Sequence, residues 1–242
     1  MALRRAFERW GRPWTLRVDN GNPWGTTSCL LSCLSLWAAG LEIDMHWNDP
    51  RRPQQNGVVE STQGTTQRWA EPGQCAHFAQ LCTRVAEEDR LQREVYPAID
   101  GQSRRAAYPW LLHSGRAYSR TWETYGWDLP AALALLANYR VRRKVTPRGQ
   151  VWLYNRQIQV GAAYTGSEVD VQLDAASVQW VITDRKGQEI RRRPAVGLTA
   201  ESLRTLSFAK HETKRSEQRA AKRAAKRAAR ACQLPAQGDQ AQ

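Results

Sequence analysis

Two carboxylates stand where phosphodiester chemistry could use them. Asp19 follows the apolar run Trp14-Thr15-Leu16-Arg17-Val18 and opens the polar turn Asp19-Asn20-Gly21. Glu60 ends the stretch Pro53-Gln54-Gln55-Asn56-Gly57-Val58-Val59-Glu60. One carboxylate at a strand end and another just inside a helix suit the holding of divalent metal ions against a phosphodiester. Two-metal phosphoryl transfer needs such groups clustered, so that ions about 3.5–4 Å apart clamp the attacking and leaving oxygens. Mg²⁺ fits carboxylates because it is a hard cation that keeps several of its waters. Taken singly the signals are weak, since Asp-Asn-Gly is a common turn and a first-turn Glu usually faces the helix dipole from the surface. The five cysteines (Cys29, Cys33, Cys75, Cys82 and Cys232) lack a Cys-x-x-Cys knuckle. Even with His77 lying between Cys75 and Cys82, they read as reduced, buried small side chains rather than zinc ligands.

The elements that must position Asp19 and Glu60 follow from local pattern. Ala2 to Trp10 has the spacing of an amphipathic helix closed by Gly11 and Pro13. Trp14 to Val18 is a short strand, and Thr26 or Thr27 can cap a helix that runs to about Ala39 and ends at Gly40. Leu41 to His46 alternates apolar and polar residues as a strand does. A Pro-rich loop, Trp47 to Asn56, then feeds a helix from Gly57 to about Glu71 that carries Glu60. Cys75 to Tyr96 is a charged helix, followed by a loop with Arg104, Arg105, Tyr108 and Trp110, and by a helix from Pro130 to Val141.

Beyond Gly149 the period shortens. Segments at 151–154, 157–160, 168–173, 178–182 and 189–191 alternate as strands, with glycines between them, and five short strands at this spacing predict a small closed barrel. Trp152, Tyr154 and Trp180 read as its filling rather than as base-stacking surface. From Lys210 to Arg230 the chain holds nine Lys/Arg against two Glu. Alanines separate the cations, but like charges one turn apart repel, so this tail is expected to be frayed alone and helical on a polyanion.

The chain carries a net charge of +13 over 242 residues. With a pI near 10.1 and a mean hydropathy of -0.66, a polyanion is the expected partner, because Lys and Arg gain counterion-release free energy on phosphates. No stretch approaches the roughly 20 apolar residues of a membrane span. The start Met1-Ala2-Leu3-Arg4-Arg5 has no apolar stretch long enough for a secretory signal. The expected location is the cytoplasm, on the nucleoid, with no membrane partner.

Order adds what the single motifs lack: strand–Asp-Asn-Gly, helix, strand, then Pro-Gln-Gln-Asn-Gly…Glu. This succession resembles the catalytic core of DDE transposases and retroviral-type integrases, whose pattern Pro-Gln-x-Asn-Gly-x-x-Glu is close to residues 53–60. The resemblance implies an RNase H-like core with three acidic residues, the second in an Asp-Asn-Gly turn and the third on a later helix. Asp19 matches the second and Glu60 the third, so both are implied as catalytic residues and as ligands of Mg²⁺ or Mn²⁺. Asn56 is implied to shape the start of the helix and, with Arg68, to face DNA. The remainder looks like the C-terminal half of bacterial insertion-sequence transposases, in which a barrel follows the core and binds DNA. Arg191, Arg192 and Arg193 are then expected at phosphates, as are Lys222, Arg223, Lys226 and Arg227 in the tail.

The expected fold class is α/β, with a partial RNase H-like core at 1–72 and a helical connector at 73–146. A small all-β barrel at 147–207 and a basic tail at 208–242 complete it. The expected function is Mg²⁺-dependent strand transfer on transposon ends and target DNA, by a multimer assembled on that DNA. One departure bears on it. The only acidic residue before Asp19 is Glu8, on a predicted helix, while Asp44 and Asp49 lie on the wrong side of Asp19 in chain order. The chain therefore reads as a C-terminal portion, inactive alone. The alternative is a non-catalytic DNA-binding protein or transposition regulator, and a basic RNA-binding module is more distant.

Overall fold

Gly11, at φ +76°, stops the first helix. That helix, α1 (Ala2–Trp10), buries Phe7. The computed structural model describes residues 2–21, 23–24 and 30–208. Contacts divide the chain into two compact units, Met1–Val141 with Gln172–Val178, and Arg142–Val171 with Gln179–Gln242. Residues 1–72 and most of 73–146 thus fall in one unit.

In the first unit, β1 (Thr15–Val18) pairs in parallel with β2 (Asp44–Trp47), from Thr15 opposite Asp44 to Val18 opposite Trp47. Parallel strands need a crossover, and α2 (Cys33–Gly40) lies in the connection between them. Ser32 caps α2 by accepting from the Ser35 amide; the expected caps, Thr26 and Thr27, lie outside the described residues. The second strand starts later than its alternation suggested. Leu41 and Ile43 are buried, but Glu42 turns through φ +57° and breaks the extended run.

The core of this unit is built on Trp37, which has no exposed surface. Phe7 stacks on it with ring centroids 5.9 Å apart, and Tyr118 meets Phe7 edge-on at 5.8 Å. Trp127 donates its indole N–H to the Trp37 carbonyl at 2.9 Å. Gly40 makes room for that indole, since a Cβ there would lie 2.0 Å from the ring. Beside these rings sits a buried carboxylate, Glu123, on α6 (Arg120–Gly126). Arg4 donates to it twice, at 2.8 and 2.6 Å, Trp37 donates at 2.8 Å, and the Tyr118 hydroxyl makes a short bond. Burial works to raise the Glu123 pKa, but hydrogen bonds from Arg4, Tyr118 and Trp37 outweigh it and hold the group below the usual carboxylate range. Burial and the same carboxylate push the Tyr118 phenol well up.

Three further helices follow β2: α3 (Gly57–Trp69), α4 (Phe78–Glu94) and α5 (Arg104–Ala107). Helix α3 buries no residue of its own. It leans on α4, where Gln92 donates to Thr66 at 2.9 Å, and Trp69 meets Tyr96 edge-on at 5.4 Å. Next, α7 (Leu129–Ala137) is capped by Asp128. It ends four residues short of the expected Val141, because Arg140–Lys144 forms a strand, β3. Val141 is buried and its arginine neighbours are exposed or half-exposed, so a β alternation lay hidden in a run dominated by charge.

The second unit corrects the barrel. Strands β4 (Gln150–Leu153) and β5 (Arg156–Gln159) form a hairpin, closed by Tyr154 and Asn155 at φ +48° and +60°, the two-residue turn favoured by strand twist. The other strands, β6 (Glu168–Asp174), β7 (Gln179–Thr183) and β8 (Glu189–Pro194), join β3 in an open sheet of order β3-β6-β7-β8. No closed barrel exists among the described residues. At the seam between β5 and β8 a side chain replaces a main-chain ladder: Arg193 donates to the Gln159 carbonyl at 3.1 Å, and Pro194 has no N–H to offer. Val151, Leu153, Val169, Val171, Trp180 and Ile182 are buried, and α8 (Ala200–Arg204) closes the described chain. Of the aromatics expected inside, Trp180 is buried and Trp152 is exposed. No described helix is long and apolar enough to cross a membrane.

Candidate functional site

Asp19 directly follows β1 and is exposed; Glu60 lies in the first turn of α3 and is exposed as well. What joins their elements is Asn48, a buried polar residue one position past β2. The parallel register brings it against the end of β1, where its amide donates to the Val18 carbonyl at 2.9 Å. Its carbonyl accepts from Asn20 at 2.7 Å, which pins the turn that presents Asp19. Its side-chain oxygen accepts from Arg17 at 2.8 Å. Its side-chain NH₂ donates to Asn56 at 2.5 Å. Asn56 stands at the N-cap of α3 in a helical backbone conformation and makes no side-chain cap bond; its oxygen accepts from Asn48. Glu60 follows one helical turn later, about 6 Å along the axis.

The Pro-rich loop is closed by its own motif residues. Gln55 accepts from the Asp49 amide at 2.8 Å and donates to the Asp49 carboxylate at 3.0 Å. Arg52 adds an ion pair to the same carboxylate at 3.4 Å. Asp49 is thereby a loop clamp. Sequence reasoning singled out Asn56 and missed Asn48. The available signal was its place between a strand and a turn-forming Asp-Pro, but its partners are 8 to 31 residues away and no local pattern names them.

Arg68 is exposed, about two turns beyond Glu60, and its guanidinium reaches Thr65 at 3.5 Å. In the second unit the three expected arginines differ. Arg191 is exposed, Arg192 is held by Glu189 at 3.0 and 3.1 Å, and Arg193 bridges to Gln159. Lys222, Arg223, Lys226 and Arg227 lie outside the described residues. Glu8, on α1, faces Arg120 at 3.7 Å.

Among the described residues no hydrogen bond or ion pair engages the carboxylate of Asp19 or Glu60, and no group of three His, Cys, Asp or Glu forms a metal cluster. Two open carboxylates are the donor set by which Mg²⁺ is commonly held, the rest of its shell coming from water and substrate phosphates. Asp19 and Glu60 are donors of the right chemistry for such an ion. No known protein-family profile matches the chain.

Proposed function

We propose that the chain serves DNA transposition as part of a DDE-type, retroviral-integrase-like strand-transfer enzyme. Asp19 and Glu60 are its second and third carboxylates. The observation that carries this reading is the Asn48 bridge, which ties the Asp-Asn-Gly turn to the start of the Glu60 helix across a parallel strand pair. A divalent ion bound there would supply Lewis-acid stabilisation of the phosphodiester oxygens. The chain's own part is to hold the carboxylates apart at a set spacing, and to bring phosphates to Arg68, Arg191 and the basic tail. A multimer on transposon ends and target DNA fits this role.

A second reading has its own support. Glu8, the only acidic residue before Asp19, lies on a helix beside Arg120, so the described chain supplies no first carboxylate. With two of three, strand transfer is largely lost, and what remains is a DNA-binding protein or transposition regulator. A Mg²⁺- or Mn²⁺-dependent nicking and joining assay separates the two. Cleavage abolished by Asp19→Ala and Glu60→Ala, with DNA binding kept, supports catalysis. No cleavage by the wild type, with binding indifferent to both substitutions, supports the binding protein.

A further inference from the structure

The open seam of the second unit is a cleft of about 390 Å³. Its floor is apolar, with Ile158, Trp180 and Phe208 all buried. Arg156 and Arg193 line it, and Val196 stands at its rim with 68% of its surface exposed. No carboxylate lines it. The Arg156 guanidinium lies 5.3 Å from the Phe208 ring centroid, and its buried Nε has no hydrogen-bond partner among the described residues.

Three other arginines of the unit are neutralised at close range: Arg142 by Asp170 at 2.9 Å, Arg192 by Glu189 at 3.0 Å, and Arg185 by Glu168. A second cleft, of about 530 Å³ between Lys144, Arg185 and Lys186, carries Glu168 and Asp184 among its cations. Of these two clefts the seam alone combines two guanidiniums with no carboxylate and an apolar floor. A buried N–H without a partner is costly, and a planar guanidinium matches phosphate oxygens in pairs. Its volume lies within the range of small-ligand sites. The complementary ligand is a flat ring with a phosphate attached.

We propose that the seam is a nucleotide cleft, which takes one base of single-stranded DNA into its apolar lining beside the exposed Val196 and its phosphate between Arg156 and Arg193. A base inside a duplex cannot enter, because it is stacked and paired. The cleft shares no lining residue with Asp19 and Glu60 and does not depend on their holding a metal.

The test is near-ultraviolet crosslinking of the full chain to a short oligothymidylate containing 4-thiothymine, with peptide mapping by mass spectrometry. Adducts are expected on residues 153–159 or 193–208, and a duplex of the same sequence gives none there. Arg156→Gln with Arg193→Gln is expected to cut the adduct yield roughly tenfold and to lower the salt slope of binding by about 0.7, the value for one phosphate on a single strand. Val196→Trp fills the cleft from an exposed position, so it blocks the adduct while leaving thermal unfolding unchanged. Adducts confined to residues 209–242, or yields unchanged in these variants, overturn the proposal. So does a polyglutamate peptide that protects the cleft at lower concentration than unlabelled oligothymidylate, since that assigns it to acidic protein.

Discussion

Asn48→Ala removes two side-chain hydrogen bonds and spares the two made by the Asn48 backbone. The bond to Asn56 joins neutral groups and is worth about 1 kcal/mol. That from Arg17 is charge-assisted but comes from an exposed side chain that water can satisfy, so about 1 kcal/mol is a fair figure there too. The first unit should lose roughly 2 kcal/mol in urea unfolding. Asn56→Ala removes one of the same bonds from the other side. The pair should therefore be non-additive, with a coupling of about 1 kcal/mol in a double-mutant cycle. The functional readout is Mn²⁺ binding, followed by the loss of its free-ion electron paramagnetic resonance signal. Releasing the start of α3 loosens the spacing of Asp19 and Glu60, and affinity should fall about tenfold, the lower end for supports of metal ligands. Strict additivity together with unchanged Mn²⁺ affinity would refute the bridge as a positioning device.

Glu123→Ala removes the buried carboxylate that accepts from Arg4 and Trp37 and bonds Tyr118, and should cost roughly 3–5 kcal/mol, measured by denaturant midpoint. Because folding lowers the Glu123 pKa below its unfolded value of 4.5, its contribution is complete above that pH and is lost as pH falls through the folded value. Glu123→Gln should therefore flatten the acid limb of melting temperature against pH, and an unchanged limb counts against the network. Gly40→Ala drives a Cβ to 2.0 Å from the Trp127 ring and should cost about 3 kcal/mol. Gly64→Ala, with nothing within 4 Å of its Cβ, should stabilise α3 by up to about 1 kcal/mol, and thermal melts of both variants test the contrast. Amide exchange should be fast along α3, which buries no residue, and slow along α2, which buries Ser35 through Gly40; equal protection would contradict the packing described.

What was legible in the sequence was local. The helix stopped by Gly11, the strand before Asp19 and the helix carrying Glu60 each follow from a period or a turn residue within a few positions. Five strands of the second half were read to within two residues of their starts. Arg140–Lys144 was missed because three arginines and a lysine outweigh the one buried valine in any hydropathy pattern. Closure of the barrel was misjudged because strand spacing predicts how many strands form and not which edges share main-chain bonds. Here the last pairing fails where Arg193 and Pro194 meet the edge of β5. Glu123 was passed over because a Glu in Arg-Thr-Trp-Glu-Thr-Tyr-Gly looks like a solvated charge. Only the fold brings it to Arg4, 119 positions away, and to Trp37.

The two-stranded sheet of the first unit bears on which activity survives. A pair this small is marginal by its own hydrogen bonds, and Trp14, beside its start, is 69% exposed. Its stability therefore comes from behind, through α2 and the Trp37 core. The turn that carries Asp19 and the start of α3 are tied together from the side, through Asn48 and Asn56. Neither support passes along the outer edge of β1, where the reading proposed above would place a further strand with a first carboxylate. Metal binding by the pair and strand transfer by a complete triad are thus separable. The first should persist in the chain as described, with an affinity that tracks Asn48. On the reading proposed above, the second requires a first carboxylate that no described residue before Asp19 supplies on a strand, and the expected outcome is a chain that binds Mn²⁺ through Asp19 and Glu60 yet joins no DNA.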